Sequence, residues 1–139
     1  MMFRKGTIFD LKSVLKIEKK VYNKPYWTES MLKRLFNKDS NEIIWITEVK
    51  QKIVGYLIEQ RCDSEINLLN VAIDKSFQNQ GIGKKMMDYF LNHMRERGSK
   101  GLHLGLGIQN YRAFNFYKKY GMTELNRDSD SIIMGILFE

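Results

Sequence analysis

Apolar positions along this chain repeat with two periods, and the switches between them outline the elements. Leu11, Val14, Ile17 and Val21 recur at helical spacing behind Asp10, a suitable N-cap. Pro25 should end that helix, because it lacks an N–H and its ring disrupts the preceding turn. Thr28, followed by Glu29, opens a second helix whose inner face is Met31, Leu32, Leu35 and Phe36. Residues 3–9 read as a short first strand. Residues 43–49 and 53–59 read as two strands, and the short Lys50-Gln51-Lys52 connection makes them a hairpin. Another strand covers 66–73. From Gly81 to about Arg97, Ile82, Met86, Phe90 and Met94 fall four residues apart on a helix that Gly98 stops. Leu102, Leu104 and Leu106 then alternate with His103, Gly105 and Gly107, the period of a strand. A helix over 110–120, ended by Gly121, and strands over 122–125 and 131–138 complete the chain. No repeat, linker or low-complexity segment interrupts this order. It predicts one α/β domain over residues 1–139, a mixed sheet with helices on its faces.

The stretch from Asn70 to Lys84 carries the first chemical signal. An apolar run ends at Ile73, a polar loop follows, and Gly81 and Gly83 precede an amphipathic helix. The first turn of a helix has free N–H groups at the positive end of the helix dipole, and glycine lets a phosphate approach closely. A strand–glycine–helix turn is therefore a candidate anion site. Two other phosphate loops fail on spacing. The chain has no Gly-x-x-x-x-Gly-Lys-Ser/Thr, and the dinucleotide pattern Gly-x-Gly-x-x-Gly lacks its third glycine here.

Composition narrows the picture slightly. The single cysteine, Cys62, excludes an internal disulfide and suits a reducing, cytoplasmic setting. Two histidines and one cysteine argue against a structural zinc site, so no metal is expected. No apolar run approaches a membrane span, and the charges after residue 4 do not suit a signal peptide. The net charge of +7 fits a polyanionic partner or a plain basic surface. The lysines are dispersed rather than gathered in a tail, which argues against nucleic acid.

A family resemblance brings these signals together. Gln78, Gly81 and Gly83 fit Gln/Arg-x-x-Gly-x-Gly/Ala, the pyrophosphate signature of the GNAT acyl-CoA N-acyltransferases. Asn110, Ala113, Tyr117 and Gly121 resemble that family's Asn-x-x-Ala-x-x-x-Tyr-x-x-x-Gly-Phe block, with Met122 in place of Phe. Residues 65–73 and 17–28 are similar to segments of the ribosomal-protein alanine N-acetyltransferase branch. The resemblance implies a single-domain GNAT fold: a mixed, mostly antiparallel sheet of about seven strands with about four helices. It implies acetyl-CoA as cosubstrate, with its pyrophosphate over Gln78, Asn79, Gln80, Gly81, Ile82, Gly83 and Lys84. It also pairs the pantetheine arm with Val71, Ala72 and Ile73, and places Asn110 beside that arm. Tyr117 becomes the acid for the departing thiolate, a role suited to a phenol with pKa near 10. Tyr22, Tyr26 and Trp27, between the first two helices, would line the acceptor groove.

Two departures matter. In this branch the strand before the Asn/Tyr helix carries Leu-Glu-Val-Arg, with the Glu as general base. Here the run is Leu104-Gly105-Leu106-Gly107. Glu65, at the head of the central strand, and His103, on the same face as Gly105, are candidate replacements acting through water. The remaining option is an acceptor amine that ionises unaided. The connection between the last two strands is also short, only 126–130. The leading expectation is acetylation of a protein or peptide N-terminal amine. A small amine (polyamine, amino acid or aminoglycoside) is the alternative. A non-catalytic module sensing coenzyme A or touching nucleic acid is less consistent with Tyr117. The chain should act as a monomer or homodimer.

Overall fold

The computed structural model describes residues 1–22 and 27–138. Among them lie seven strands: β1 Met2–Lys5, β2 Glu42–Val49, β3 Lys52–Cys62, β4 Glu65–Ile73, β5 Gly101–Gly107, β6 Thr123–Arg127 and β7 Ser131–Leu137. Four α-helices accompany them: α1 Leu11–Val21, α2 Glu29–Arg34, α3 Ile82–Glu96 and α4 Tyr111–Lys118. The strands form one sheet in the order β1-β2-β3-β4-β5-β7-β6. Every pairing is antiparallel except β4 with β5.

Each sheet face has its own core. On one, Met86, Phe90 and Met94 of α3 pack fully buried against Leu57, Leu102 and Met134. On the other, Val14 and Ile17 of α1 and Leu32 of α2 pack on Ile44, Tyr56 and Ile58. Lys50 and Gln51 both have positive φ, +52° and +65°, as the tight β2–β3 hairpin requires.

Among the expected boundaries that shift are three around the first two helices. The first strand stops at Lys5 rather than reaching residue 9. Asp10 accepts hydrogen bonds from the Thr7 backbone N–H at 2.7 Å and from both Arg4 terminal nitrogens at 2.9 and 2.8 Å. These bonds hold a short 3-10 turn over Ile8–Asp10 that leaves Phe9 almost wholly exposed. Helix α1 ends at Val21, and the expected stop, Pro25, lies outside the described residues. Helix α2 ends at Arg34, so Leu35 and Phe36 follow it, although Leu35 is still buried.

The Arg4 guanidinium, chiefly through its hydrogen bonds, holds the Asp10 carboxyl below the usual carboxylate range. A depressed folded pKa stabilises the fold above the unfolded pKa and ceases to do so as pH falls through the folded value. Asp10→Asn is expected to cost about 2 kcal/mol near neutral pH. That is less than a fully buried pair would lose, because Arg4 is partly solvated. Thermal melts from neutral pH downward check this, since wild type and variant should converge below pH 3.8.

Candidate active site

The site begins where two neighbouring strands part. β4 and β5 pair in parallel only from Glu65–Gly101 to Leu68–Leu104. Beyond that point β4 stays with β3, β5 stays with β7, and a gap opens between them.

A bulge shapes the free edge of β4. Ile58 faces Asn70 but Glu59 faces Leu68, so Leu69 has no partner on β3. One extra residue moves all later side chains to the opposite face. Leu68 packs in the α3 core before the bulge, and Val71 and Ile73 pack there after it. Asn70 and Ala72 therefore turn toward α1, and Ala72 is buried in that core. The backbone alternates too. Asp74 N–H donates to the Val54 carbonyl of β3 at 2.7 Å, so Val71 and Ile73 direct their backbone groups into the gap. Their carbonyls already accept hydrogen bonds there. The Tyr22 hydroxyl donates to Val71 O at 2.7 Å, and Gln78 Nε2 donates to Ile73 O at 2.9 Å. The N–H groups of Val71 and Ile73 then offer that edge two donors.

The gap widens into a cleft of about 390 Å³. Val71, Ala72 and Ile73 form one wall, the loop from Gln78 to Lys84 forms the floor, and Asn110 and Tyr117 stand opposite. Gly81 is the N-cap of α3 in the left-handed region, φ +80°, which favours glycine. The first i→i−4 bond of the helix runs from Lys85 N–H to Gly81 O. The N–H groups of Ile82, Gly83 and Lys84 thus lack intrahelical acceptors. Ile82 contributes only backbone, because its side chain is in the core. A Cβ on Gly83 would stand 3.8 Å from the Phe116 ring, so α3 and α4 approach closely there. Asn79, also with positive φ, accepts a 2.8 Å hydrogen bond from Arg112, a cation on the cleft that the sequence reading missed. Gln80 donates to the Ser76 carbonyl at 3.2 Å.

Asn110 is the N-cap of α4. Its side-chain oxygen accepts from Ala113 N–H at 3.2 Å, which leaves its amide nitrogen for a ligand. Tyr117, half-buried on the same helix, meets Phe116 edge-on at 5.3 Å. Burial, and secondarily the proximity of Tyr22, raise its phenol above the ordinary value. It therefore holds its proton at neutral pH.

The two proposed bases do not join this group. Glu65 starts β4 at the closed end of the β4–β5 pair, and its Oε1 is 3.0 Å from where a Cβ on Gly101 would stand. At about 3.3 Å per residue, Glu65 is roughly 20 Å from Val71. His103 shares the face of Gly105 but pairs with Asn67 before the strands part. It stands roughly 7 Å short of Gly105 along β5. Periodicity gives a residue's face, but not where along the strand pair the cleft opens.

Among the expected acceptor residues, Trp27 is buried in the α1 core, and its backbone N–H donates to Glu18 Oε2 at 3.3 Å. Tyr26 lies outside the described residues. Tyr22 adjoins a buried polar cluster that the sequence reading also missed. Glu18, 1% exposed, accepts from the Tyr56 hydroxyl and, at 2.9 Å, from Asn70 Nδ2. Tyr22 donates to Asn70 Oδ1 at 2.9 Å as well as to Val71 O. Burial, and then the charge of Glu18, push the Tyr22 phenol up to about 12. Burial likewise raises Tyr56. One signal could have revealed Glu18: a carboxylate on the Val14–Ile17–Val21 stripe of α1.

On the α2 side of β4 lies a hollow of about 870 Å³, bounded by Trp27, Met31, Arg34, Asp39, Glu42 and Leu69. No group of three or more His, Cys, Asp or Glu side chains suited to a metal occurs among the described residues, and no described helix is long and apolar enough to cross a membrane.

Comparison with known proteins gives the fold and the family. The ribosomal protein bS18-alanine N-acetyltransferase of Escherichia coli is 26% identical over 117 residues, covering 83% of this chain and 76% of that protein. An uncharacterized N-acetyltransferase of Methanocaldococcus jannaschii is 28% identical over 116 residues, covering 77% of this chain but only half of the relative. Among solved structures, PaiA N-acetyltransferase from Thermoplasma acidophilum, in complex with coenzyme A, superposes with a TM-score of 0.89 at 17% identity. That superposition covers 99% of this chain and 98% of the other. A profile of the Acetyltransferase (GNAT) family matches residues 11–122, most of the chain, and the protein belongs to that family.

Proposed function

We propose that this protein transfers the acetyl group of acetyl-CoA to a primary amine, with the α-amine of a peptide or protein N-terminus as the preferred acceptor. One observation carries the reading. The free edge of β4, the N-terminus of α3 and Tyr117 all border a single cleft. Each group then has a task. The N–H groups of Ile82, Gly83 and Lys84 bind pyrophosphate, with Lys84 and Arg112 adding positive charge. The Val71 N–H receives the thioester carbonyl and holds its oxygen as negative charge develops. Tyr117 donates its proton to the leaving sulfur as the C–S bond breaks and the C–N bond forms.

Neither Glu65 nor His103 lines the cleft, so the acceptor's own ionisation should govern the rate. With pKa values near 8 and 10.4, an α-amine has about 250-fold more free base than a lysine side chain at neutral pH. The hollow beside Trp27 and Leu69 has room for residues following an N-terminus, which favours a peptide acceptor.

The test is thiol release from acetyl-CoA with an alanine-terminated peptide, an N-blocked lysine peptide and spermidine. The peptide α-amine should be acetylated fastest at pH 7, and kcat/KM should rise with pH along the acceptor's own titration. Amine-independent thiol release, or none, would overturn the reading. The small-amine reading draws on the short connection between β6 and β7, which leaves the acceptor side less walled. Faster turnover of spermidine would select it.

A further inference from the structure

The buried Glu18 cluster lies outside the machinery assigned above, yet it touches the cleft edge. We propose that Glu18 is a positioning residue for the acceptor amine, acting through Asn70 to aim the hydroxyl of Tyr22. The proposal rests on the acetyltransferase reading and extends it to how the amine is held.

The directions of the hydrogen bonds carry the argument. An ionised carboxylate only accepts, so Glu18 requires Asn70 to present its NH₂ group at 2.9 Å. The Asn70 oxygen must then face Tyr22, 2.9 Å away. The other neighbour of the Tyr22 hydroxyl, Val71 O at 2.7 Å, is also only an acceptor. Both demand a donor, so the phenol proton is committed to them. Tyr22 meets the cleft edge through the Val71 carbonyl, and what its hydroxyl can present there is a lone pair. A primary amine or ammonium, with N–H groups to give, is the chemistry that fits. The Val71 carbonyl is bonded in the same arrangement, which steadies the peptide edge whose N–H faces the thioester.

The local fold makes this relay possible. Glu18 falls on the inward stripe of α1, one turn after Val14. The Leu69 bulge turns Asn70 to the α1 side, where Tyr56 of β3 also donates to Glu18. The Trp27 backbone N–H, near the start of α2, reaches the other oxygen at 3.3 Å. One carboxylate thereby joins α1, β3, β4 and the entry to α2 around the acceptor side.

Glu18→Gln keeps the side-chain shape and removes the charge. Tyr56 and Asn70 both meet Oε1 and the Trp27 backbone N–H meets Oε2, so a glutamine oxygen at either place sets its NH₂ against a donor at the other. Where the NH₂ opposes Asn70, that amide flips, turns its own NH₂ toward Tyr22 and releases the phenol proton from its place; where the oxygen meets Asn70, it holds the amide without a charge and less firmly. Steady-state kinetics with acetyl-CoA and an alanine-terminated peptide should be measured for wild type, Glu18→Gln, Tyr22→Phe and the double variant. Glu18→Gln is expected to lower kcat/KM for the peptide by about 10- to 100-fold, with acetyl-CoA affinity within twofold of wild type. The double variant should be no slower than Tyr22→Phe alone, because Glu18 acts through Tyr22. In ¹H–¹⁵N spectra of the unliganded proteins, Glu18→Gln and Tyr22→Phe should both move the Asn70 side-chain amide and the Ala72 N–H, whose peptide group contains the Val71 carbonyl. Unchanged peptide kinetics would overturn the proposal, as would losses that multiply in the double variant or a fall in melting temperature alone. Those results would leave an active wild type, and with it the acetyltransferase reading, intact. A wild type without turnover on any amine would remove both.

Discussion

Tyr117→Phe is expected to lower turnover by about 10²–10⁴-fold while acetyl-CoA affinity stays near that of wild type. The hydroxyl is the only group removed. The ring keeps its edge contact with Phe116 and its place between α4 and the α3 core. Burial raises the phenol's pKa, so wild-type Tyr117 is almost wholly protonated at neutral pH and ready to donate. An unassisted thiolate departure should appear as a loss in kcat rather than in binding. Acceptors with more basic amines should not recover it, because the missing proton goes to sulfur and not to nitrogen. Calorimetry with acetyl-CoA and turnover with the alanine-terminated peptide together check this. Normal turnover in a folded variant would assign Tyr117 to packing alone.

Gly81→Asp is expected to weaken acetyl-CoA binding by about 100-fold, roughly 2.7 kcal/mol. Two effects act together. A side chain at φ +80° strains the turn that presents the first N–H groups of α3. A carboxylate at the same point repels the pyrophosphate that those groups should bind. A Cβ here meets nothing within 4 Å, so crowding is not the cause. Gly81→Asn isolates the charge, since asparagine has nearly the shape and backbone strain of aspartate there but is neutral. It should retain most of the affinity. Equal losses in both variants would point to backbone strain, and unchanged affinity in a folded Gly81→Asp protein would move the pyrophosphate elsewhere.

These two predictions use residues that were legible in the sequence, and the reason is local. The glycine turn and the Asn110–Tyr117 helix each carry their signal within a few consecutive residues. Helix capping, left-handed backbone and one-turn spacing depend on near neighbours, so a linear reading finds them. The same holds for the order of strands and helices, because side-chain period is a property of each segment alone.

The acceptor side was not legible in that way. Glu65 looked well placed at the head of β4, and His103 shared a face with Gly105. Whether either reaches the reacting atoms depends on where β4 and β5 separate, which is a relation between residues 36 positions apart in the chain. The pairing ends at Leu68 and Leu104, which leaves Glu65 at the closed end. Glu18, Tyr56, Asn70 and Tyr22 come from three separate elements and meet only after α1 docks on the sheet.

By itself, the sequence determined the element types, the glycine turn that opens α3, the helix bearing Tyr117 and membership in one α/β domain. Each follows from residue periods and turn chemistry acting over a few positions. Only the tertiary structure decided which side of β4 Asn70 takes, which carboxylate adjoins Asn70 and Tyr56, and which candidate bases stand apart. The Leu69 bulge is the physical reason. It is set by pairing with β3 rather than by any local signal, and one unpaired residue sends Asn70 to Glu18 while leaving Val71 on the cleft.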